Sequence, residues 1–209
     1  MKLLLENEHI FLEGFNSRHT HADLGRPCPN CPNSVSSEAL YRCVMCFGSP
    51  LLCQTCMVCS HQYLPFHMIE QWNGRFFART DLRSLGLVIS AHHDRLPCPN
   101  RGPSEKGTCI TVVDISGVHE VMFAYCHCIG CLDPWQQLFS LQLWPATLAE
   151  PNTIFTFALL DDYHHHSLAS RKSAHDYWQV LCRKTSYGFP EAVPVSIFHL
   201  FRNILLNSP

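Results

Sequence analysis

Between Cys28 and His67 the chain carries eight cysteine and histidine side chains grouped two by two: Cys28/Cys31, Cys43/Cys46, Cys53/Cys56 and His61/His67. Three of the pairs have the C-x2-C spacing. A turn across two residues sets both sulfurs on one side of the backbone, and two such turns complete the four-donor tetrahedral shell of a structural zinc ion. Eight donors in forty residues match two ions. The stretch is also too short to build a sufficient apolar core by itself. Metal binding therefore has to supply its folding energy, on the order of 10 kcal/mol per structural site.

Four pairs in series allow an interleaved arrangement, first with third and second with fourth, as in B-box and RING modules. The ligand sets are then Cys28, Cys31, Cys53, Cys56 and Cys43, Cys46, His61, His67. Sequential pairing remains open, and Cys59 is a spare sulfur able to replace Cys56 or His61. A third set is expected further on. Cys98 stands in a PCPN turn, and Cys126, Cys128 and Cys131 follow a strand pair, with His119 or His127 as a substitute ligand. The expected cofactor is Zn2+, two ions with room for a third.

The chain has 209 residues, enough for one domain or two small ones. Hydrophobic residues make up 46% and charged residues 15%, which excludes a disordered composition. The formal charge of -2 gives no strong basic footprint for nucleic acid. The opening MKLLLENEHIF has its apolar run broken by Glu6 and Glu8, so it does not read as a secretory signal, and no run nears the length of a membrane span. An intracellular setting is expected, where paired cysteines mean metal more often than disulfides.

The fold class expected is α+β, in five stretches. Residues 1–27 read as a loosely ordered arm whose His9, His19 and His21 are solvated. Residues 28–68 form the zinc module. Residues 69–133 are β-rich and carry the second cysteine cluster. Asn73-Gly74 marks a tight turn there, and Asp81 opens a short helix over 80–85. The clearest hairpin spans Thr108 to Cys128, turning at Ser116-Gly117. Residues 134–185 read as helical throughout: one helix from Trp135 to Trp144, one from Pro151 to Leu168, and one opened by the capping box Ser173-x-x-Asp176. Residues 186–209 form a divergent tail. Cys182 reads as a core residue.

The motifs YRCVMCFG, LLC, PFH, IEQWNGRFF, LGL, DISGVHEV, YCHCIGC, PWQQL, LWPAT and FTFALLDDYH occur in that order. Over about residues 28–185 the chain resembles the cysteine-cluster domain found at the N-terminus of fungal Kyakuja–Dileera–Zisupton (KDZ) transposases. The resemblance implies a zinc-chelating domain that precedes a catalytic core, with the first eight ligands in one cluster and Cys126, Cys128 and Cys131 in a second. It implies a nuclear protein whose partner is DNA or a transposase catalytic chain, with no small-molecule substrate and no membrane. The chain stops at Pro209, before the expected core.

Chemistry of the RNase-H-like kind needs carboxylates converging on two metal ions. Asp114 is the one strand-borne acid expected, with only helices after Cys131, so it reads as the polar residue of a turn. Asp161-Asp162 with His164–His166 reads as a solvated helix face. A non-catalytic accessory domain is therefore the expected function. The second reading is a B-box- or RING-like protein-interaction module, with a link to ubiquitin. The candidate phosphate contacts are Arg75, Arg79, Arg83, Arg101, Lys106, Arg171, Lys172, Arg183 and Lys184.

Overall fold

The structure, a computed structural model, describes residues 7–16, 24–31, 37–48, 50–91, 93, 96–100 and 107–207. His19, His21, Arg101 and Lys106 lie outside the described residues. The chain divides into two compact units, Met1–Leu85 and Gly86–Pro209. The division falls inside the stretch expected to run from 69 to 133.

In the first unit, helix α1 (Glu8–Asn16) lies within what was expected to be a loose arm. Strand β1 (Tyr41–Cys43) pairs antiparallel with β2 (Ile69–Trp72), and β2 with β3 (Phe77–Thr80). The hairpin between β2 and β3 is the expected Asn-Gly turn. Gly74 takes φ +94, and the Asn73 side-chain oxygen accepts from the backbone N–H groups of Arg75 and Phe76, both at 3.0 Å. Register puts Arg42 opposite Glu70, and their side chains meet at 2.6 Å. Helix α2 (Gln54–Ser60) packs beside β1, and its Met57 is fully buried. Asp81 does not open a helix. Its carboxylate accepts from Ser84 N–H at 2.6 Å and closes a turn before Leu85.

The second unit holds a mixed sheet in the order β4 (Val88–Ser90), β6 (Gly117–Ala124), β5 (Thr108–Asp114), β8 (Thr153–Thr156), β7 (Leu143–Pro145). The expected hairpin is β5–β6, with Asp114 opposite Gly117. Its apolar residues make it: Ile110, Val112 and Val113 are fully buried. β4 runs parallel to β6, and β8 parallel to β5.

The expectation of helices alone over 134–185 is overturned by two strands. Helix α3 (Pro134–Ser140) is short because Gln142 adopts φ +61 and redirects the chain into β7. The run Thr153–Thr156 is a strand, with helix α4 (Phe157–Ser170) starting only after it. A short apolar run fits a buried strand and a helix equally by periodicity. Here the β-branched Thr153, Ile154 and Thr156 and the partner β5 decide for strand. Thr156 then caps α4, accepting from Leu159 N–H at 3.1 Å.

Helix α5 (Ala174–Thr185) starts at the expected Ser173 cap, which accepts from Asp176 N–H at 3.1 Å. The tail is no loose end. Helix α6 (Val195–Asn207) packs Phe201 into a core with Val113, Phe155, Leu159, Trp178 and Leu181. Cys182 lies in that core, as expected. Among the described residues, no helix is long and apolar enough to cross a membrane.

Candidate metal centres

Three groups of four donor atoms are brought together, each with all its atoms within 4.8 Å of one another: Cys28, Cys31, Cys53, Cys56; Cys43, Cys46, His61, His67; and His93, Cys98, Cys126, Cys128. The first two are the interleaved sets, first pair with third and second with fourth. Zinc–sulfur bonds of about 2.3 Å set tetrahedral S···S edges of about 3.8 Å, and S···N edges come to about 3.5 Å. Cys31 Sγ lies 3.5 Å from Cys53 Sγ and 3.7 Å from Cys56 Sγ. Cys46 Sγ lies 3.6 Å from His61 Nε2 and 3.3 Å from His67 Nδ1, and Cys43 Sγ lies 3.4 Å from His67 Nδ1. These are edge lengths of a tetrahedron, far longer than the roughly 2.05 Å of a disulfide. All the cysteines are free.

Local structure explains the convergence. Cys28 and Cys31 flank a tight turn closed by Cys31 N–H to the Cys28 carbonyl at 3.3 Å. Cys53 is the N-cap of α2 and Cys56 lies one turn in, so a single helix start presents both sulfurs. The same helix ends at His61, which serves the second group. His61 Nδ1 donates to the carbonyl oxygen of Met57 at 3.0 Å, so in the neutral ring Nε2, 3.6 Å from Cys46 Sγ, is the nitrogen free to bind a metal. Such an outer partner fixes the tautomer a metal-bound histidine needs. Cys59, the spare sulfur, is exposed on α2 and joins no group.

The third group departs from the expected one. Cys98, Cys126 and Cys128 converge, with Cys98 Sγ at 3.9 and 3.7 Å from the other two sulfurs. The fourth donor is His93, its Nε2 at 3.3 Å from Cys126 Sγ and 3.5 Å from Cys128 Sγ. Cys131 stays outside. Its exposed Sγ donates instead to the Cys126 carbonyl at 3.2 Å, because the turn closed by Cys131 N–H on the Cys128 carbonyl carries it past the group. His119 is not the substitute either, since its Nε2 lies 2.8 Å from Ser116 Oγ. His127 contributes its backbone N–H, 3.5 Å from Cys98 Sγ. His93 was legible only as a histidine five residues ahead of Cys98. Its approach depends on φ +59, a left-handed conformation that spacing does not announce.

The electrostatics of the groups are compatible with a cation. Burial raises the Cys43 thiol, but contact with the His61 ring and the N–H groups of Met45 and Cys46 outweighs it and brings the pKa to about 6. The His127 N–H leads in lowering Cys98 to about 6. For Cys28, burial is outweighed by the N–H groups of Cys53 and Asn30, giving about 7. Their neighbours move the other way. Cys46 is pushed up to about 11 by burial and by Cys43, and Cys128 to about 11 by Cys126 and Cys98. Four close sulfurs cannot all ionise beside one another, whereas a bound cation deprotonates them together. The donor sets are four sulfurs, two sulfurs with two nitrogens, and three sulfurs with one nitrogen. All three fit metal ions and are consistent with zinc.

Asp114 is fully engaged in the β5–β6 turn. One carboxylate oxygen accepts from Ser116 N–H (3.0 Å) and Ser116 Oγ (2.7 Å), the other from Thr156 Oγ1 (2.9 Å). Asp162, in the Asp161-Asp162 run, accepts from the Tyr177 hydroxyl. Among the described residues, the three Cys/His groups are the ones suited to a metal.

An α+β chain built around three four-donor cysteine–histidine groups belongs to the cysteine-cluster proteins. The model of the CxC2-like cysteine cluster associated with KDZ transposases matches residues 82–187, just over half of the sequence, and the chain belongs to that family. The match includes Cys98, Cys126, Cys128 and His93. It begins after the first two groups, which stand on their own geometry. No curated protein and no solved structure matches the chain.

Proposed function

We propose that this chain is a non-catalytic, zinc-binding accessory module of a KDZ-type transposase, holding DNA or the catalytic chain against the reaction. What carries the reading is that each of the three donor groups is complete at four. A catalytic zinc keeps one position open for water or substrate, while a closed shell is structural. Together with a family associated with KDZ transposases, closed metal centres favour recognition and assembly over chemistry. Of the candidate phosphate contacts, Arg75, Arg79, Arg171, Arg183 and Lys184 are exposed. Work on DNA would place the chain in the nucleus.

The second reading is a protein-interaction module of B-box or RING type. It is favoured by the interleaved ligand pairs, and by the exposed Val44, Met45, Phe47, Tyr63 and Leu64, which flank the ligands of the second group along the chain. Fluorescence anisotropy of the zinc-loaded chain on a DNA duplex across a salt series separates the two. A binding constant whose logarithm falls linearly with log salt marks phosphate contacts and the first reading. No binding at low salt removes the DNA role and leaves protein interaction as the function.

A further inference from the structure

Gln137, on α3, is 1% exposed, and its side-chain amide is spent entirely on backbone. Oε1 accepts from Cys126 N–H at 2.8 Å, and Nε2 donates to the Cys126 carbonyl at 3.1 Å and the Leu132 carbonyl at 2.7 Å. A flipped amide would set NH2 against N–H and oxygen against two carbonyls, so the pattern itself assigns the orientation. Cys126 lies just beyond the end of β6, where ladder partners run out. The amide stands in for a neighbouring strand, gripping both polar groups of the Cys126 residue. The third bond ties down Leu132, closing the loop that carries Cys126 and Cys128.

We propose that Gln137 is a positioning residue of the third metal site. It clamps the Cys126 backbone so that Sγ is presented to His93, Cys98 and Cys128 before any ion arrives. The proposal rests on that group holding a metal. Fixing a ligand in advance removes an ordering cost from binding. Loss of an outer-shell partner of this kind weakens metal affinity about 10–100-fold.

The test uses the full chain loaded with Co2+. Its charge-transfer and d–d absorption distinguish the four-sulfur, mixed two-and-two, and three-sulfur one-nitrogen donor sets. Wild type, Gln137→Met and Leu138→Ala are titrated with a graded chelator. Gln137→Met keeps the length and loses every hydrogen bond. Leu138→Ala removes a fully buried neighbour on the same helix that makes no hydrogen bond to Cys126 through its side chain. The expected result is a loss of about 10–100-fold for Gln137→Met in the spectrum of the three-sulfur one-nitrogen site alone. Leu138→Ala should lower the melting temperature with all three spectra unmoved. Equal affinity in Gln137→Met and wild type overturns the clamp, as does parallel weakening of all three sites or an equal loss at the third site in Leu138→Ala. A wild-type chain with no three-sulfur one-nitrogen spectrum overturns the metal site itself, and the clamp with it.

Discussion

His61 Nδ1 lies 3.0 Å from the carbonyl oxygen of Met57, one helical turn back along α2. That contact turns Nε2 outward to Cys46, while Cys53 at the other end of the same helix faces Cys31 at 3.5 Å. One short helix thus borders two donor groups, and removing metal from either should disorder its end of α2.

Chelation is therefore expected to unfold the 28–67 stretch cooperatively. With structural sites worth on the order of 10 kcal/mol each, little of it should persist without metal. Elemental analysis before and after chelator, with circular dichroism, checks this. Fewer than one metal per chain, and a spectrum indifferent to chelator, would remove the metal reading.

The third group makes a sharper forecast. His93→Ala should lose one metal equivalent of three, and Cys131→Ala none, because Cys131 Sγ is turned to the Cys126 carbonyl. Metal content by mass spectrometry under native conditions reads both variants. The reverse pattern would put Cys131 back into the shell.

Gly117 cannot be replaced cheaply. It has φ +134, and a Cβ there would sit 2.9 Å from Thr185 Oγ1 and 3.2 Å from Thr185 N. Thr185 Oγ1 accepts from Val118 N–H at 2.8 Å, so the close approach joins the hairpin turn to the end of α5. Gly117→Ala should cost on the order of 2 kcal/mol from clash and backbone strain together. Urea denaturation measures it, and a change below a few tenths would mean that the turn relaxes freely.

Tyr177 links stability to alkaline pH. Burial first, then its hydrogen bond to Asp162 at 2.5 Å, hold its phenol well above the usual tyrosine range. Between the ordinary value of about 10 and that raised value, the unfolded chain has lost the proton and the folded chain has kept it. Stability contributed by Tyr177 is thus fully present below about pH 10 and falls as pH rises beyond it. Tyr177→Phe should cost about 1 kcal/mol at neutral pH and show a shallower alkaline decline than wild type. Identical slopes above pH 10 would show that other groups dominate.

The amino-acid order by itself determined which elements have strong local causes. Paired cysteines announce four-donor groups because a two-residue turn brings two sulfurs together wherever it occurs. Asn73-Gly74, the Ser173 cap and the β-branched hairpin to Phe123 were legible for the same reason, since turn, cap and strand chemistry act within a few residues. Tertiary structure alone decided the rest. Thr153–Thr156 is a strand because β5 lies beside it, which its β-branched residues favour but its apolar periodicity does not announce. His93, not Cys131, faces Cys126 because a left-handed backbone turn at His93 points it inward, while the Cys128–Cys131 turn carries its last sulfur away. Gln137 is an ordinary helix residue in sequence. Only the fold sets it behind Cys126, where three backbone groups need a partner.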